Sequence, residues 1–416
     1  MKAGLVRGAC PGLSAPMQTG DGLLVRLTPR GSIAVDAFIA LCALARRQGN
    51  GQIEVTARGN LQVRGLTAQS APLFAAAVTG LEIASTCPVP LITDPLPQDP
   101  DVLIDVAHVA AGLSQAVGDL QARLAAKISI ALDGGSRLHL DALAADIRLR
   151  AVPSAKGPRL HVALGGDARS ATMLGTIAPN HAGDVAARLL EVIARHGPTA
   201  RATDVLRHAG IAPFRTAVAE IEPASARPAR PAAEPIGLHP LRERLALGVA
   251  LAFGQAEAAA LAQLASVARR YGATALRPAP GRALLLLGLD ESGAANVTRA
   301  AEQLGFITRA DDPRRRIAAC AGKPACASAY LATRALAAAI APRLPRGCGE
   351  VALHISGCPK GCAHPGPAAL TIVGEQHGAG IVRNGPASVA PSRHVAAADL
   401  LAEVAQLMQI SEAQHG

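Results

Sequence analysis

Residues 45–66 and 268–289 are two copies of one pattern, and a chain that repeats itself this way has few architectures open to it. The first copy reads ARRQGNGQIEVTARGNLQVRGL and the second ARRYGATALRPAPGRALLLLGL, with seven of twenty-two positions identical and no gap. The shared positions include Ala-Arg-Arg at the start and Gly-Leu at the end, so the match rests on more than apolar residues. Each copy follows an apolar run of helical period: Ile33, Ala37, Phe38, Leu41 and Leu44 in one, Ala260, Leu261, Leu264 and Val267 in the other. Each then offers two extended segments, Gln52–Thr56 with Leu61–Arg64 and Thr274–Arg277 with Arg282–Leu287. A helix followed by paired strands, occurring twice, points to gene duplication. Chance similarity between two Ala/Leu-rich stretches is the alternative.

At 416 residues the chain is too long for one typical core. Between the copies, Glu222–Pro235 (EPASARPARPAAEP) has no apolar period and reads as an exposed linker. Strand-like runs follow in each half: Lys127–Leu132 and Arg159–Leu164, then Glu350–Ile355 and Ala368–Val373. Helices are expected from about Gly183 to Arg195, Ala327 to Ala341 and Ala397 to Met408. The fold class is therefore α+β with pseudo-twofold symmetry, and a ligand site where related halves meet is the natural expectation.

The chemistry is carried by four cysteines in two pairs, Cys320 with Cys326 and Cys358 with Cys362, spaced C-x5-C and C-x3-C. Four thiolates are what a cubane [4Fe–4S] cluster needs, one per iron. The second pair lies in Gly357-Cys358-Pro359-Lys360-Gly361-Cys362, where glycine allows a tight curl and proline restricts it. Four inert core cysteines would be the bland reading. Zinc is the sharper rival, although its paired ligands usually have two to four residues between them, which x3 meets and x5 does not.

The formal charge of +10, mainly from arginine, asks for an acidic partner. Aromatic residues are only 2%, so stacking platforms for single-stranded nucleic acid are scarce, and no dense basic tract is present. Arginine forks suit carboxylates, which favours a polycarboxylate ligand over nucleic acid. An ordinary arginine-rich surface remains the alternative. The most apolar long window, Leu245 to Ala265, is interrupted by Gln255, Glu257 and Gln263, so no membrane span is expected. Lys2 and Arg7 are not followed by an apolar signal region. Eight cysteines without a small disulfide-rich module point to a reducing, cytoplasmic setting. Cys10, Cys42, Cys87 and Cys348 are left over; Cys42 reads as core and the others have no assigned role.

The two cysteine pairs, the duplicated halves and the stretch Thr56-Ala57-Arg58-Gly59-Asn60-Leu61-Gln62 resemble the nitrite/sulfite reductase superfamily. Three further features resemble its precorrin-3B synthase branch: Cys10-Pro11-Gly12 with Pro16-Met17, Gly20-Asp21-Gly22-Leu23-Leu24-Val25-Arg26, and a cluster loop continuing through Ala363-His364-Pro365. The resemblance implies, in each half, a ferredoxin-like half-domain and a mixed α/β block. The implied boundaries are 1–70 and 71–221, a linker at 222–235, then 236–310 and a cluster-binding block at 311–416. Departures from the reductases support the branch. Lys360 stands where reductases usually carry Asn, Lys127 matches one of two anion-holding lysines while Ser129 replaces the other, and the reductase arginine near Cys87–Asp94 is missing.

What the resemblance implies is an oxidoreductase, a monooxygenase of cobalamin biosynthesis. It would hydroxylate precorrin-3A and close a γ-lactone, using dioxygen and an external electron donor. It implies a [4Fe–4S] cluster on Cys320, Cys326, Cys358 and Cys362 and a mononuclear non-haem iron. The ligands of that iron are not readable, with His364, His354 and His377 as candidates. Sirohaem belongs only to the alternative, a sulfite or nitrite reductase; a non-catalytic electron carrier or sensor is a third reading. Candidate substrate-binding residues are Arg26, Arg58, Asn60, Gln62, Arg64 and Lys127. Arg58, Asn60 and Gln62 alternate by two and so would share one strand face, which Arg64 continues; a solvated sheet face is the alternative. Lys360 and His364 are weak catalytic candidates.

Overall fold

The computed structural model describes residues 11–84, 89–96, 98–218, 221–224, 229–347 and 351–413. Cys10, Cys87 and Cys348 lie outside the described residues. Within them the strands form four five-stranded sheets.

The first sheet holds Met17–Thr19, Gly22–Leu27, Leu61–Leu66 and Gln52–Val55, and its last edge is Gln255–Glu257 from the other half of the chain. The second sheet holds Gly237–Pro240, Leu245–Ala250, Ala283–Leu289 and Ala275–Ala279, and its edge is Ile33–Ala34 from the first half. Each half therefore lends the other a strand, which pairs an edge that would otherwise be open. Each lent strand runs straight into a helix, Val35–Gln48 in one case and Ala258–Arg270 in the other. Phe38, Leu41 and Cys42 of the first helix share a core with Leu261, Leu264 and Ala265 of the second. Both helices end in paired arginines, Arg46-Arg47 and Arg269-Arg270, where cations favour the helix dipole.

The other two sheets share one topology. In the first, Leu91–Thr93, Ile130–Asp133 and Ile147–Val152 run parallel, followed by antiparallel Arg159–Leu164 and Thr172–Ile177. In the second, Ile317–Ala319, Leu353–Ser356 and Ala368–Glu375 run parallel, followed by antiparallel Gly378–Gly385 and Arg393–Ala396. The pseudo-symmetry thus extends well beyond the repeated 22 residues. Helices Val106–Ala116 and Ala182–Arg195 pack on the first of these sheets, and Thr333–Ile340 with Leu400–Ala413 on the second. In parallel sheets ligands gather outside the C-terminal strand ends. Cys320 and Cys358 leave the sheet at those ends.

Two expectations need correction. The helix after the first cysteine pair spans Thr333–Ile340, not Ala327 to Ala341. The backbone before it is already engaged: Cys326 N–H donates to Gly322 O (2.8 Å) and Tyr330 N–H to Gly357 O (2.8 Å). Thr56 to Gln62 is not one strand. Thr56 N–H donates to Asn60 O (2.8 Å), so Arg58 sits on a hairpin tip and does not share a face with Gln62 through alternation. Between the halves, Arg230 ion-pairs with Asp133 and with Asp141 (2.7 Å) of the first α/β block.

Candidate functional site

The four cysteines stand on two loops. Cys320 follows Ile317–Ala319, and the amide of Gly357 donates to its Sγ at 3.2 Å. Thr333 donates its hydroxyl to Cys320 O at 2.6 Å. Cys326 closes the turn begun at Gly322, whose φ of +66° favours glycine and whose absent Cβ would fall 2.6 Å from Thr333 N. Cys358 and Cys362 follow Leu353–Ser356, and Ser356 Oγ donates to Cys358 O at 2.7 Å. A Cβ on Gly357 would strike Ala329 at 2.6 Å, so glycine is what lets the loops close on each other. Lys360 Nζ donates to Ser328 Oγ at 3.1 Å and links them a second time. Cys358 is buried, Cys320 and Cys326 are half-buried, and Cys362 is exposed.

This donor set suits a cluster better than a single ion. No three of these sulfurs lie within 4.8 Å of one another. One zinc, at about 2.3 Å per sulfur, would draw its ligands to about 3.8 Å apart. A cube takes one thiolate on each of four irons and so a wider quartet.

The first sheet turns a polar face to these loops. Arg64, only 5% exposed, forks onto Asp21 (2.9 and 3.0 Å) and donates to Ala325 O at 2.5 Å. Asp21 is held below its ordinary pKa by the Arg64 and Thr19 hydrogen bonds, which outweigh its burial. Gly20 is pressed against the same arm, where a Cβ would meet Ala327 N at 2.7 Å. With the Gln62 amide assigned so that its nitrogen faces the carboxylate, the orientation its neighbours require, Gln62 donates to Glu54 Oε2 (2.8 Å) and accepts from Arg26 (2.9 and 3.0 Å). Glu54 also accepts from Arg334 at 2.6 Å. The matching face of the second sheet carries Ala246, Ala283, Leu285 and Leu287, packed against Leu96 and Leu138. One copy of the duplicated face is filled; the other is polar.

The structure therefore brings Arg26, Gln62 and Arg64 together beside the cysteine loops. Arg64 is engaged with Asp21 and the cysteine arm, a role that sequence alternation did not show. Arg58 reaches the first α/β block instead, donating to Ala144 O (2.9 Å) and Ser129 Oγ (3.4 Å). Asn60 is engaged through its backbone in the hairpin turn, its N–H donating to Thr56 Oγ1 (3.0 Å). Lys127 is exposed, as is His377 at a hairpin turn. His354 is fully buried beneath the Cys358–Cys362 loop, and neither ring nitrogen has a partner. Burial first, then His364 and Arg282, push its pKa down to about 4. His364 lies edge-on to it with centroids 5.7 Å apart and shares a hydrogen bond with Pro367 O (3.0 Å).

Sequence reasoning missed Asp21 as a partner, Arg334 and Arg282. The last was legible in the repeat, where it aligns with Gly59.

Two pseudo-symmetric halves with cysteine arms at the strand ends define a protein of the nitrite/sulfite reductase type. Residues 15–79 match the family described as nitrite/sulfite reductase ferredoxin-like half domain. The structure of the NirA protein of Mycobacterium tuberculosis has the same fold, with a TM-score of 0.73 at 18% identity, covering 93% of this chain and 80% of that one. A sulfite reductase [ferredoxin] 2 of Mycolicibacterium paratuberculosis is 29% identical over 157 residues, 35% of this chain and 28% of that protein. Similarity to a precorrin-3B synthase of Sinorhizobium sp runs far further: 42% identity over 399 residues, 94% of this chain and 86% of that one. The chain belongs to the precorrin-3B synthase family and is an enzyme of the oxidoreductase class. Among the described residues no helix is long and apolar enough to cross a membrane.

Proposed function

We propose that this enzyme acts in cobalamin biosynthesis as an oxygen-dependent precorrin-3B synthase, hydroxylating precorrin-3A and closing a γ-lactone on it. One oxygen atom enters the product and the other leaves as water, with two electrons and two protons from an external donor. Cys320, Cys326, Cys358 and Cys362 would hold a [4Fe–4S] cluster, which supplies single-electron transfer when bound. The observation that carries this reading is the placement of the quartet opposite a polar sheet face that its duplicate has lost.

The chain's own residues then have distinct tasks. Arg26 has a neutral partner in Gln62, so its charge is available to a substrate carboxylate. Arg58 and Asn60 on the hairpin tip, with Lys127, border the first α/β block and suit peripheral carboxylates. His354, buried with both ring nitrogens unpartnered, and the half-buried His364 beside it fit the imidazole chemistry of a mononuclear non-haem iron. Lys360 ties the cysteine arms together.

Anaerobic purification with iron and acid-labile sulfide analysis and an optical spectrum tests the reading. The expected result is sulfide with iron in excess of it and a broad brown shoulder. A strong haem band with sulfite turnover would replace it with the sirohaem reductase reading. A colourless, sulfide-free or zinc-containing protein would end it.

A further inference from the structure

Arg282 lies at the tip of the hairpin between Ala275–Ala279 and Ala283–Leu289, where the first half's hairpin has Gly59. Gly59 is left-handed, with φ of +77°, and Arg282 is left-handed too, with φ of +62°. Glycine enters this region freely, whereas a residue with a Cβ is strained there. The turn asks for glycine and the sequence supplies arginine, and strain kept in this way gathers at functional positions.

The guanidinium shows what the strain serves. Its Nη2 donates to Ala363 O at 3.1 Å, the carbonyl of the residue that follows Cys362. The stem runs over Gly254, where a Cβ would fall 2.7 Å from Arg282 Cδ. Among the described residues no carboxylate lies within ion-pair distance of it. Glu54 attracts it from further off, but Arg334 repels it and already holds Glu54. A half-buried cation with no carboxylate of its own thus sits beside the exposed cysteine. A cube bound by four thiolates is a net anion and would complete this charge balance.

Resting on the cluster reading above, we propose that Arg282 is a positioning residue of the iron–sulfur centre: it fixes the Cys362 arm and holds positive charge beside it, raising the cluster's midpoint potential. Positive charge near a cluster favours its reduced, more negative state. Arg64 of the first half, at a different position in the repeat, likewise donates to a carbonyl beside a cysteine, that of Ala325, which precedes Cys326, but its charge is balanced by Asp21.

Arg282→Gly and Arg282→Lys test this in the full-length holoprotein, by redox titration followed by electron paramagnetic resonance, with iron content and the thermal midpoint of the apoprotein. Arg282→Gly relieves the left-handed strain, so a merely structural turn residue predicts equal or higher thermal stability and an unchanged potential. The proposal expects undiminished stability with a potential shifted to more negative values, partly restored in Arg282→Lys. Loss of iron from Arg282→Gly at undiminished apoprotein stability also supports it, as failure of the Cys362 arm. A parental potential in Arg282→Gly, or a lowered apoprotein midpoint, overturns it. Absence of cluster from the parent protein instead overturns the underlying reading.

Discussion

Asp94 occupies in the first α/β block the place that Cys320 occupies in the second. The amide of Gly134 donates to Asp94 Oδ2 at 2.7 Å, and the amide of Gly357 donates to Cys320 Sγ at 3.2 Å. Both residues directly follow the first parallel strand of their sheet, and both glycines follow the neighbouring strand by one residue. The first block therefore keeps the backbone cradle of a cysteine arm and puts a carboxyl in it. Val106 and Ile104 fill the space beyond Gly134, so the copy is closed.

The Asp94 carboxyl is fully buried, its Oδ1 has no partner, and burial, then Asp133, push its pKa up to about 7. The folded value lies above the unfolded one, so the native state holds the proton more tightly. Stability is then lost as pH rises from about 4 to about 7 and is level above that. Asp94→Asn removes this slope and makes the protein more stable at pH 8, by on the order of 2 kcal/mol. Chemical denaturation of parent and variant across pH 4–8 checks it. Parallel curves would show that Asp94 is ionised throughout.

Each of Cys320→Ser, Cys326→Ser, Cys358→Ser and Cys362→Ser is expected to lower iron content severalfold and abolish turnover. Cys42 is the control. It is fully buried in the core shared by the two long helices, where burial pushes its thiol up to about 12. Cys42→Ala leaves a small cavity costing about 1 kcal/mol and keeps the iron. Equal iron loss in Cys42→Ala would break the ligand assignment.

The sequence shows the duplicated helix-and-hairpin because its apolar periods and turn glycines are local signals. Arg159–Leu164 and the helix ending at Arg195 are legible for the same reason. The reciprocal loan of Ile33–Ala34 and Gln255–Glu257 is not. Such short strands carry no period, and their partners lie in the other half. The two cysteine loops, which the fold brings into contact, are legible from spacing and glycine context. The engagement of Arg64 with Asp21 is not, because alternation along a strand shows which face a side chain shares and nothing of what faces it. The helix expected from Ala327 fails on a related point: alanine propensity there yields to the backbone bonds of the Cys326 turn.

Arg64 and Asp21 make a largely buried pair that braces the Cys326 arm. Removing one partner leaves the other charge uncompensated, so Arg64→Ala should cost about 3 kcal/mol and lower iron content. Asp21→Ala should act in the same direction, and the double variant should lose less than the sum, with a coupling of about 1–3 kcal/mol. Denaturant midpoints for the four proteins measure this. If Arg64 instead met a substrate carboxylate directly, Arg64→Ala would weaken tetrapyrrole binding at unchanged stability and iron content.

Arg26 is the contrasting case. It sits half-buried on the same sheet face, and its guanidinium rests on the carbonyl of Gln62, a neutral acceptor. Truncating it leaves no buried carboxylate stranded, so stability should change little and the cluster should stay. A lost charge-assisted hydrogen bond to substrate is worth about 1.5–3 kcal/mol, which is roughly 10- to 100-fold in affinity. Arg26→Ala is therefore expected to weaken binding of a polycarboxylated tetrapyrrole by that factor, and Arg26→Lys by less, with iron content held. Arg58→Ala separates two roles at once, since Arg58 also spans to Ala144 O and Ser129 Oγ of the neighbouring block. It should lower both affinity and thermal midpoint, whereas Arg26→Ala lowers affinity alone. Titration of each variant by tetrapyrrole absorbance, beside its melting curve, decides the matter. Unchanged affinity in Arg26→Ala with an intact cluster would move the substrate off this face of the first sheet.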